Sequence, residues 1–514
     1  MTDPALGQQL KVLGLCGAGL VLAIFLGSQI GHENYGPLLL GAVIIVVACI
    51  ALFSGRYFWV LTIASSFLTG TFPILGGAFT PFQILMAIGV VKFLIGDVVL
   101  RRTRLRIGNR FDVLMIAGFM GILTWHGIHD RFGMRFLGST VWGGHNYVNV
   151  YVGLAAFFVV QSIPTSSRIW AKLPYVVLAV TGFDLLIAVI TTISPSSIYI
   201  IYPFYSAVSS IGLEEVITGS TLDVTGRIGT FGSFGFVLIL IVLASVRLTE
   251  IFNPKHFFQA VCLVGGVIAT LFSGFRSAVI NGLIGFLIAG IRDLKWAVVF
   301  LLPLLGALLF ALSFVNSQVV HLPKQMQRGL TFFPGEWDAD MAHDAASSNE
   351  FRRRTWELWA KAYFPAHPWL GRGFGFRSDW SKQSKSLYRG AIDYPQMVEV
   401  GNIHNGLFAT VDAVGIIGTV FFVVWNLRLL KRTFRVSFRE REAGATALRF
   451  LALYLAAWII AYSFGAFTIG SFLPQEFAVA GVFLWLQRAM ASEASDQSGR
   501  MESHGAISKE LAAT

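Results

Sequence analysis

Arg276 is the first of three side chains in this 514-residue chain whose types suit the handling of a phosphate group or a proton. It lies in Leu271-Phe-Ser-Gly-Phe-Arg-Ser-Ala-Val279, which is so short between two apolar runs that it must form a tight turn. Ser273 or Ser277 can cap the helix that follows, and Gly274 permits the turn. A guanidinium beside the free N–H groups of a helix start makes an anion site suited to phosphate. The alternative is an arginine that reaches lipid headgroups.

Arg227 lies in a second polar segment, Thr225-Gly-Arg-Ile-Gly-Thr-Phe-Gly-Ser233, which leads into an apolar run. Three glycines within seven residues allow a backbone to approach a ligand closely. Alone, this segment also fits a loop whose arginine pairs with a nearby acid such as Glu215. Together with Arg276 it indicates a pair of guanidinium groups, which can clamp a diphosphate.

His404 is the candidate proton acceptor, at the point where a long polar segment ends and an apolar run begins. An imidazole with a pKa of about 6.5 suits general-base work at neutral pH, whereas a lone histidine at a helix end can also serve as a cap. Asp412 is eight residues further on. That spacing is about 12 Å along a helix, too far to orient the imidazole directly. We expect Asp412 to satisfy another helix instead.

His126, His129 and His145 are predicted at the outer ends of neighbouring membrane spans. Histidines three residues apart share a helix face and can bind a metal ion. Histidines at a membrane interface are commoner than metal sites, so the sequence predicts no metal. We find no nucleophile or zinc signature, and we predict no cofactor.

Membrane helices are the elements that must position these side chains. Hydrophobic residues make up 55% of the chain and charged residues 13%, with a mean hydropathy of +0.67. A soluble protein of this length needs far more polar surface. The sequence predicts an all-α polytopic membrane protein with about 14 spans of roughly 20 residues. These spans lie near residues 12–30, 37–54, 57–75, 80–99, 111–128, 146–162, 174–193, 228–246, 257–275, 276–291, 296–315, 404–425, 450–469 and 472–488.

The basic residues predict the orientation of these spans. With both chain ends in the cytoplasm, the short inward loops collect arginine-rich clusters at 101–110 and 428–449. The short outward loops hold only Arg131, Arg135, Arg227 and Arg276. This asymmetry follows the positive-inside rule, so the net charge of +11 reflects topology and predicts no nucleic-acid partner. The polar segment 316–403 is then extracytoplasmic.

Four regions are predicted along the chain. A transmembrane bundle of about 11 spans occupies 1–315, and a large periplasmic loop with helical segments occupies 316–403. About three further spans fill 404–488. A polar, serine-rich, disordered cytoplasmic tail is predicted over 489–514.

The clearest element of the loop is a helix over Glu350–Ala362, which carries Arg352 and Arg354 beside tryptophans. It continues into a glycine-rich stretch that contains Arg372. Basic residues beside aromatic residues suit a glycan or phosphate surface, or an amphipathic helix that lies on the membrane. These three arginines, with Asn405 after the candidate base, are the predicted substrate-binding residues.

A set of short motifs in a fixed order carries a family resemblance. The motifs are Arg227-Ile-Gly-Thr-Phe-Gly, Ser273-Gly-Phe-Arg-Ser-Ala, Arg354-Thr-Trp-Glu-Leu-Trp, His367-Pro-Trp-Leu-Gly-Arg-Gly-Phe-Gly and His404-Asn-Gly-Leu-Phe, followed by Gly415 and Gly418. Within 225–420 the chain resembles the O-antigen ligase and O-antigen polymerase superfamily of bacterial envelope glycosyltransferases. The resemblance implies a GT-C-like fold with one large periplasmic loop between late helices.

The resemblance also implies a function. It is that of an inner-membrane enzyme that transfers a polyprenyl-diphosphate-linked glycan to an acceptor hydroxyl, with inversion, at the periplasmic face during lipopolysaccharide or exopolysaccharide biosynthesis. By resemblance, Arg227 and Arg276 bind the diphosphate and His404 serves catalysis, without a metal. The acceptor is a lipid A–core sugar in a ligase, another lipid-linked glycan in a polymerase, or in some relatives a protein Ser/Thr, and the sequence leaves these alternatives open.

Two other classes of function remain open. One is a transporter or flippase for lipid-linked glycans, and the other is a non-catalytic assembly protein of the envelope. A transporter predicts cationic residues along a path through the membrane and short loops. Here the candidate cations lie at the outer face beside one large loop, which favours the enzyme. In every case the partners include membrane lipids.

Overall fold

The computed structural model describes residues 55–72, 79–94, 108–129, 132–133, 142–163, 165–194, 196–201, 204–206, 228–318, 320–376, 394–436, 444–462 and 469–511. The predicted spans near 12–30 and 37–54, and Arg227, lie outside these residues.

The described residues form α-helices and contain no β-strand, with only isolated bridge pairs between loops. The all-helical class is therefore confirmed for this part of the chain. The principal helices are α1 (Phe58–Ala64), α2 (Pro81–Phe93), α3 (Arg110–His129), α4 (Gly144–Ser162), α5 (Leu173–Ile193), α6 (Gly229–Ser245), α7 (Phe257–Phe272), α8 (Arg276–Leu294), α9 (Val298–Gln318), α10 (Lys324–Leu330), α11 (Ala339–Leu358), α12 (Tyr394–Glu399), α13 (Gly406–Phe434), α14 (Ala445–Tyr462) and α15 (Ile469–Leu511).

Six helices among the described residues are long and apolar enough to cross a membrane. A seventh candidate is a broken pair, Arg276–Phe300 and Pro303–Asn316, which is bent by 75°. Pro303 lies at this bend, where its ring removes a backbone donor and favours a kink. The helices Phe58–Phe67, Pro81–Phe93 and Gly229–Ser245 are apolar but shorter. The total of about 14 spans stays a prediction.

The last two spans form the centre of the bundle. About four-fifths of the membrane-length windows of α14 and α15 is buried, against less than half of α3 and α13. Close packing of α15 on α4 requires small residues, because a Cβ on Gly153 would come 2.5 Å from Pro474 Cα. Helix α15 continues to Leu511, through most of the segment for which the sequence predicts a disordered tail.

The bundle has two chemically different ends. At one end, which we call the basic end, Arg428 pairs with Asp112 and Arg488 donates to Gln161. The opposite end carries the polar segment 316–403, which we call the insert. There His126, at the end of α3, lies 2.8 Å from the carbonyl oxygen of Leu370 in the insert. The arginines of the basic end and the insert thus lie on opposite sides, as the positive-inside argument requires.

Helix α13 is broken, and the insert fills the break. Gly415 has φ 64° and ψ −173°, so the helical hydrogen bonds across it are lost. The backbone N–H groups of Arg372 and Gly373 donate to the carbonyls of Asp412 and Ala413 at 2.8 and 3.0 Å. In return, the N–H groups of Ile416 and Ile417 donate to the carbonyls of Pro368 and Trp369 at 2.9 and 3.1 Å. Since a membrane offers no water to an open backbone, this exchange makes the break tolerable.

Two glycines permit this close approach of two backbones. A Cβ on Gly415 would overlap the carbonyl of Trp369, and one on Gly371 would come 2.6 Å from the backbone of Ala413. Both glycines also have positive φ, which side chains strain. The glycine-rich stretch after His367 is therefore explained by its docking into α13.

We predict that Gly415→Ala lowers the free energy of unfolding by at least about 1 to 3 kcal/mol. The new methyl group strains a backbone with positive φ and also overlaps the carbonyl of Trp369. The matched control is Gly265→Ala in α7, where nothing lies within 4 Å of the added Cβ. That change should be neutral or stabilise by up to about 1 kcal/mol. Unfolding in detergent, followed by tryptophan fluorescence, measures both. Equal losses of unfolding free energy in the two variants would contradict the docking of the insert into α13.

Candidate functional site

Arg276 begins helix α8 directly after a buried tight turn. Gly274 has φ 68°, and the backbone N–H of Phe275 donates to Ser273 Oγ at 3.2 Å, so Ser273 braces the turn. The prediction that Ser273 or Ser277 caps α8 is wrong, because the N-cap is Phe275 and no side chain caps this helix. The guanidinium is half-buried, and its Nη2 lies 3.4 Å from the carbonyl oxygen of Ala345. Arg276 therefore reaches from the membrane bundle to helix α11 of the insert.

The start of α6 lies against the same turn. The backbone N–H of Ile228 donates to the carbonyl of Ser273 at 3.2 Å. A Cβ on Gly232 would come 2.9 Å from the Cβ of Ala278, so the first turns of α6 and α8 are in contact. Arg227, which precedes Ile228 in the sequence, lies outside the described residues.

Arg328 in α10 is a buried arginine that the sequence analysis did not single out. Its side chain is only 4% exposed. Its Nη1 donates to the carbonyl of Gly274, and its Nε pairs with Asp344. This one side chain therefore joins α10, the turn before Arg276 and α11. A single arginine in a polar loop gives no sequence signal for such a position.

His404 lies against the middle of α11 in an uncommon backbone conformation. Its φ of 55° is one of two positive values at non-glycine residues in the described part of the chain. The edge of its ring meets Phe351, with 5.1 Å between the ring centroids. The preceding carbonyl, of Ile403, accepts a 2.8 Å hydrogen bond from Trp356 Nε1. Helix α11 thus fixes the position of His404.

The surroundings of His404 keep its imidazole neutral. Burial, and after it the nearby Arg352 guanidinium, lowers the pKa of His404 to about 4. Its Nδ1 is buried without a hydrogen-bond partner. No carboxylate in the described part of the chain bonds to this ring. At neutral pH His404 is therefore an uncharged group with a free capacity for hydrogen bonding.

Helix α11 contacts both Arg276 and His404. Arg276 contacts this helix at Ala345, and His404 contacts it at Phe351. These two contact points are six residues apart, which is about 9 Å along the helix axis. A cation and a neutral base, predicted from segments far apart in sequence, are thus held by the same helix.

The predicted substrate-binding residues divide into different roles. Arg352 is half-buried beside His404. Arg354 is exposed, pairs with Glu350 at 2.6 Å, and lies over the ring of Tyr394. Asn405 caps α13, because its Oδ1 accepts the backbone N–H of Phe408 at 3.1 Å. Of the three, Arg352 is the one placed next to the candidate base.

Arg372, another of the predicted substrate-binding residues, makes internal contacts. Its Nη2 pairs with Asp412 at 2.7 Å, and its Nη1 donates to the carbonyl of Glu399 at 3.0 Å. Asp412 also accepts Trp359 Nε1 at 3.1 Å. Arg372 and Asp412 therefore reinforce the docking of the insert into α13. As predicted, Asp412 does not orient His404, although its partners lie in the insert.

A cavity of about 590 Å³ opens beside the first turns of α6 and α8. Ser277 and Asn281 of α8, Ser233 of α6 and His145 of α4 line it. The described residues around it include no charged side chain, so hydroxyl and amide groups dominate its polar wall. His145 lines this cavity, whereas His126 bonds to the insert. In the described part of the chain, no three His, Cys, Asp or Glu residues cluster as metal ligands.

Comparison with known families agrees with this geometry. Residues 260–423 match the family model described as O-Antigen ligase. The match spans the turn at Arg276, the whole insert and the broken helix α13, and it confirms the resemblance to the O-antigen ligase and polymerase superfamily. This domain supports an enzyme role of ligase or polymerase type in envelope polysaccharide assembly. No curated protein matches the chain.

We predict that Asp412→Ala lowers the unfolding free energy by about 3 to 5 kcal/mol, because it leaves the guanidinium of Arg372 buried without its carboxylate. Arg353→Ala is the control, since Arg353 forms exposed ion pairs with Glu350 and Glu357. Loss of those exposed pairs should leave the stability nearly unchanged, because water screens them. Detergent unfolding measures both variants. A loss for Asp412→Ala as small as the control would show that the pair does not hold the insert.

Proposed function

We propose that this protein transfers a glycan from a polyprenyl-diphosphate carrier to an acceptor hydroxyl at the periplasmic face of the inner membrane. The observation that carries the proposal is that Arg276 and His404 both contact helix α11, at Ala345 and Phe351. A diphosphate leaving group needs a cation, and an acceptor hydroxyl needs a base. Both are present on one side of the bundle, opposite the basic end.

In the proposed reaction, the acceptor oxygen attacks the anomeric carbon as the bond from that carbon to the diphosphate oxygen breaks. The polyprenyl diphosphate leaves with the bonding electrons, and the acceptor proton passes to His404. Attack from the face opposite the leaving group inverts the anomeric centre. Arg276, and Arg227 from the preceding segment, stabilise the charge that develops on the diphosphate.

The neutral state of His404 leaves it available to accept a proton. A pKa of about 4 keeps the ring unprotonated at neutral pH, and it also makes the ring a weaker base than an ordinary imidazole. Arg352 beside the ring contributes to this state and can also contact the incoming phosphate or glycan. The edge contact with Phe351 packs the ring against α11.

We predict that His404→Asn lowers kcat/KM for transfer by about 10²- to 10⁴-fold, the usual contribution of a positioned base. Asparagine tolerates positive φ, so the loss reports the imidazole and not the backbone. Arg276→Gln should cost about 10²- to 10³-fold, as expected for a group that stabilises developing charge. The measurement uses purified protein with lipid-linked donor and acceptor only.

Arg353→Gln is the matched control, because it removes an exposed arginine from the same helix α11. It should retain wild-type activity. Full activity in His404→Asn or Arg276→Gln would refute the proposed roles. Proposed metal independence is checked in the same assay: activity lost with a chelator and restored by Mg²⁺ or Mn²⁺ would overturn it. Donor movement across proteoliposomes without any product would instead indicate a transporter.

The pH dependence of transfer gives an independent check on His404. At about pH 5.5 an ordinary histidine is roughly nine-tenths protonated. With a pKa of about 4, His404 remains mostly neutral there, so kcat/KM should persist and fall only below about pH 5. Arg352→Gln removes a neighbouring positive charge, which raises the pKa of His404, so kcat/KM should begin to fall at a higher pH. Arg353→Gln should leave the pH of this fall unchanged. An unchanged pH of the fall in Arg352→Gln would count against His404 as the base.

A further inference from the structure

A second cavity lies at the basic end, far from the insert. It has a volume of about 480 Å³ and opens between the end of α8, the end of α13 and the start of α14. Arg292, Arg435 and Arg449 line it, one from each of these three segments. The described residues around it include no acidic side chain. Three guanidinium groups from separate segments thus converge on one concave space.

Two of these guanidinium groups are held in place by consecutive backbone carbonyls. Arg292 Nη2 donates to the carbonyl of Leu243 at 2.8 Å, and Arg449 Nη1 lies 3.5 Å from the carbonyl of Ala244. Both carbonyls belong to the last turn of α6. The side chain of Arg292 is 13% exposed and Arg449 is 9% exposed. The cations are therefore set side by side in a poorly hydrated position before any ligand arrives.

One of these guanidinium groups is already paired with a carboxylate. Asp293 accepts Arg292 Nε at 2.9 Å and also the backbone N–H of Leu248 at 2.9 Å. Arg247 is a further cation within electrostatic range of Arg292. Like charges repel strongly where water is scarce, so an anion bound between these groups lowers the electrostatic energy.

The rest of the cavity wall is apolar. Ile288 and Ile291 of α8, with Phe434 and Leu453, line it beside the arginines. A ligand that fits both parts carries an anionic phosphate next to hydrocarbon. Basic pockets between membrane helices on the cytoplasmic side have this character when they bind anionic lipid headgroups. The positive-inside rule explains arginines at this end, but it does not require them to be buried around one cavity.

We propose that this cavity is a binding site for a phosphate group, carried by an anionic phospholipid of the adjoining leaflet or by a soluble phosphate. The phosphate contacts Arg449 and Arg435, while Arg292 remains paired with Asp293. In the lipid case, the glycerol and first acyl carbons lie against Ile291 and Phe434. This site is separate from the transfer chemistry at the insert.

The experiment places the purified full chain in nanodiscs of phosphatidylcholine alone, or of equal parts phosphatidylcholine and phosphatidylglycerol, and compares the thermal unfolding midpoints. A third sample contains phosphatidylcholine nanodiscs with inorganic phosphate. Arg449→Gln and Arg435→Gln test the cavity. Arg435 is exposed, so its substitution spares the fold. Lys255→Gln removes an exposed cation from the same end but outside the cavity.

We expect phosphatidylglycerol to raise the midpoint of the wild-type protein and of Lys255→Gln. When the phosphatidylglycerol fraction or the phosphate concentration is titrated, the two arginine variants should require about tenfold more for the same rise, the size expected for one charge-assisted hydrogen bond. Unchanged protection in both arginine variants would overturn the site. Protection by inorganic phosphate alone identifies a soluble ligand, and protection only by phosphatidylglycerol identifies a lipid. Either result supports the site. The proposed site is overturned if neither ligand protects the wild-type protein. It is also overturned if Lys255→Gln weakens the protection as much as the arginine variants do.

Discussion

The exchange of backbone hydrogen bonds at Gly415 is the contact on which the arrangement of the insert depends. A helix broken within a membrane protein exposes donors and acceptors that the surroundings cannot satisfy. Here the insert satisfies them with four hydrogen bonds, and the ion pair of Arg372 with Asp412 adds a side-chain contact between the same segments. The polar insert and the apolar bundle therefore cannot be separated without leaving buried polar groups unpaired.

Helix α11, which is part of the docked insert, holds the two parts of the candidate site in position. One of its ends is tied to the turn before Arg276 by Arg328 and Asp344, and its middle packs on His404 through Phe351. The distance between Arg276 and His404, the proposed cation and base, is thus set by a helix and not by a flexible loop. Such positioning is what a transfer reaction needs, because misplacement of reacting groups by even about 1 Å is costly.

Charge is handled differently at the two ends of the bundle. At the insert end, Arg352 lies near His404, whose imidazole is kept neutral by burial, as the proposed proton transfer requires. At the basic end, Arg292 and Arg449 are oriented by backbone carbonyls, and Arg292 also pairs with Asp293. The same residue type therefore has different neighbours at the two ends, which is why we propose catalysis at one end and phosphate binding at the other.

The sequence by itself determined the membrane class, the turn at Arg276, the polar insert and the family that residues 260–423 resemble, because composition, span length and short motifs are local properties. Only the tertiary structure decided which polar groups meet. Arg372 and Asp412 are 40 residues apart, and Arg328 is 54 residues from Gly274, so no local pattern reports either contact. The lowered pKa of His404 likewise arises from burial and from Arg352 across the fold. Desolvation and ion pairing depend on distance in space, which the order of residues does not contain.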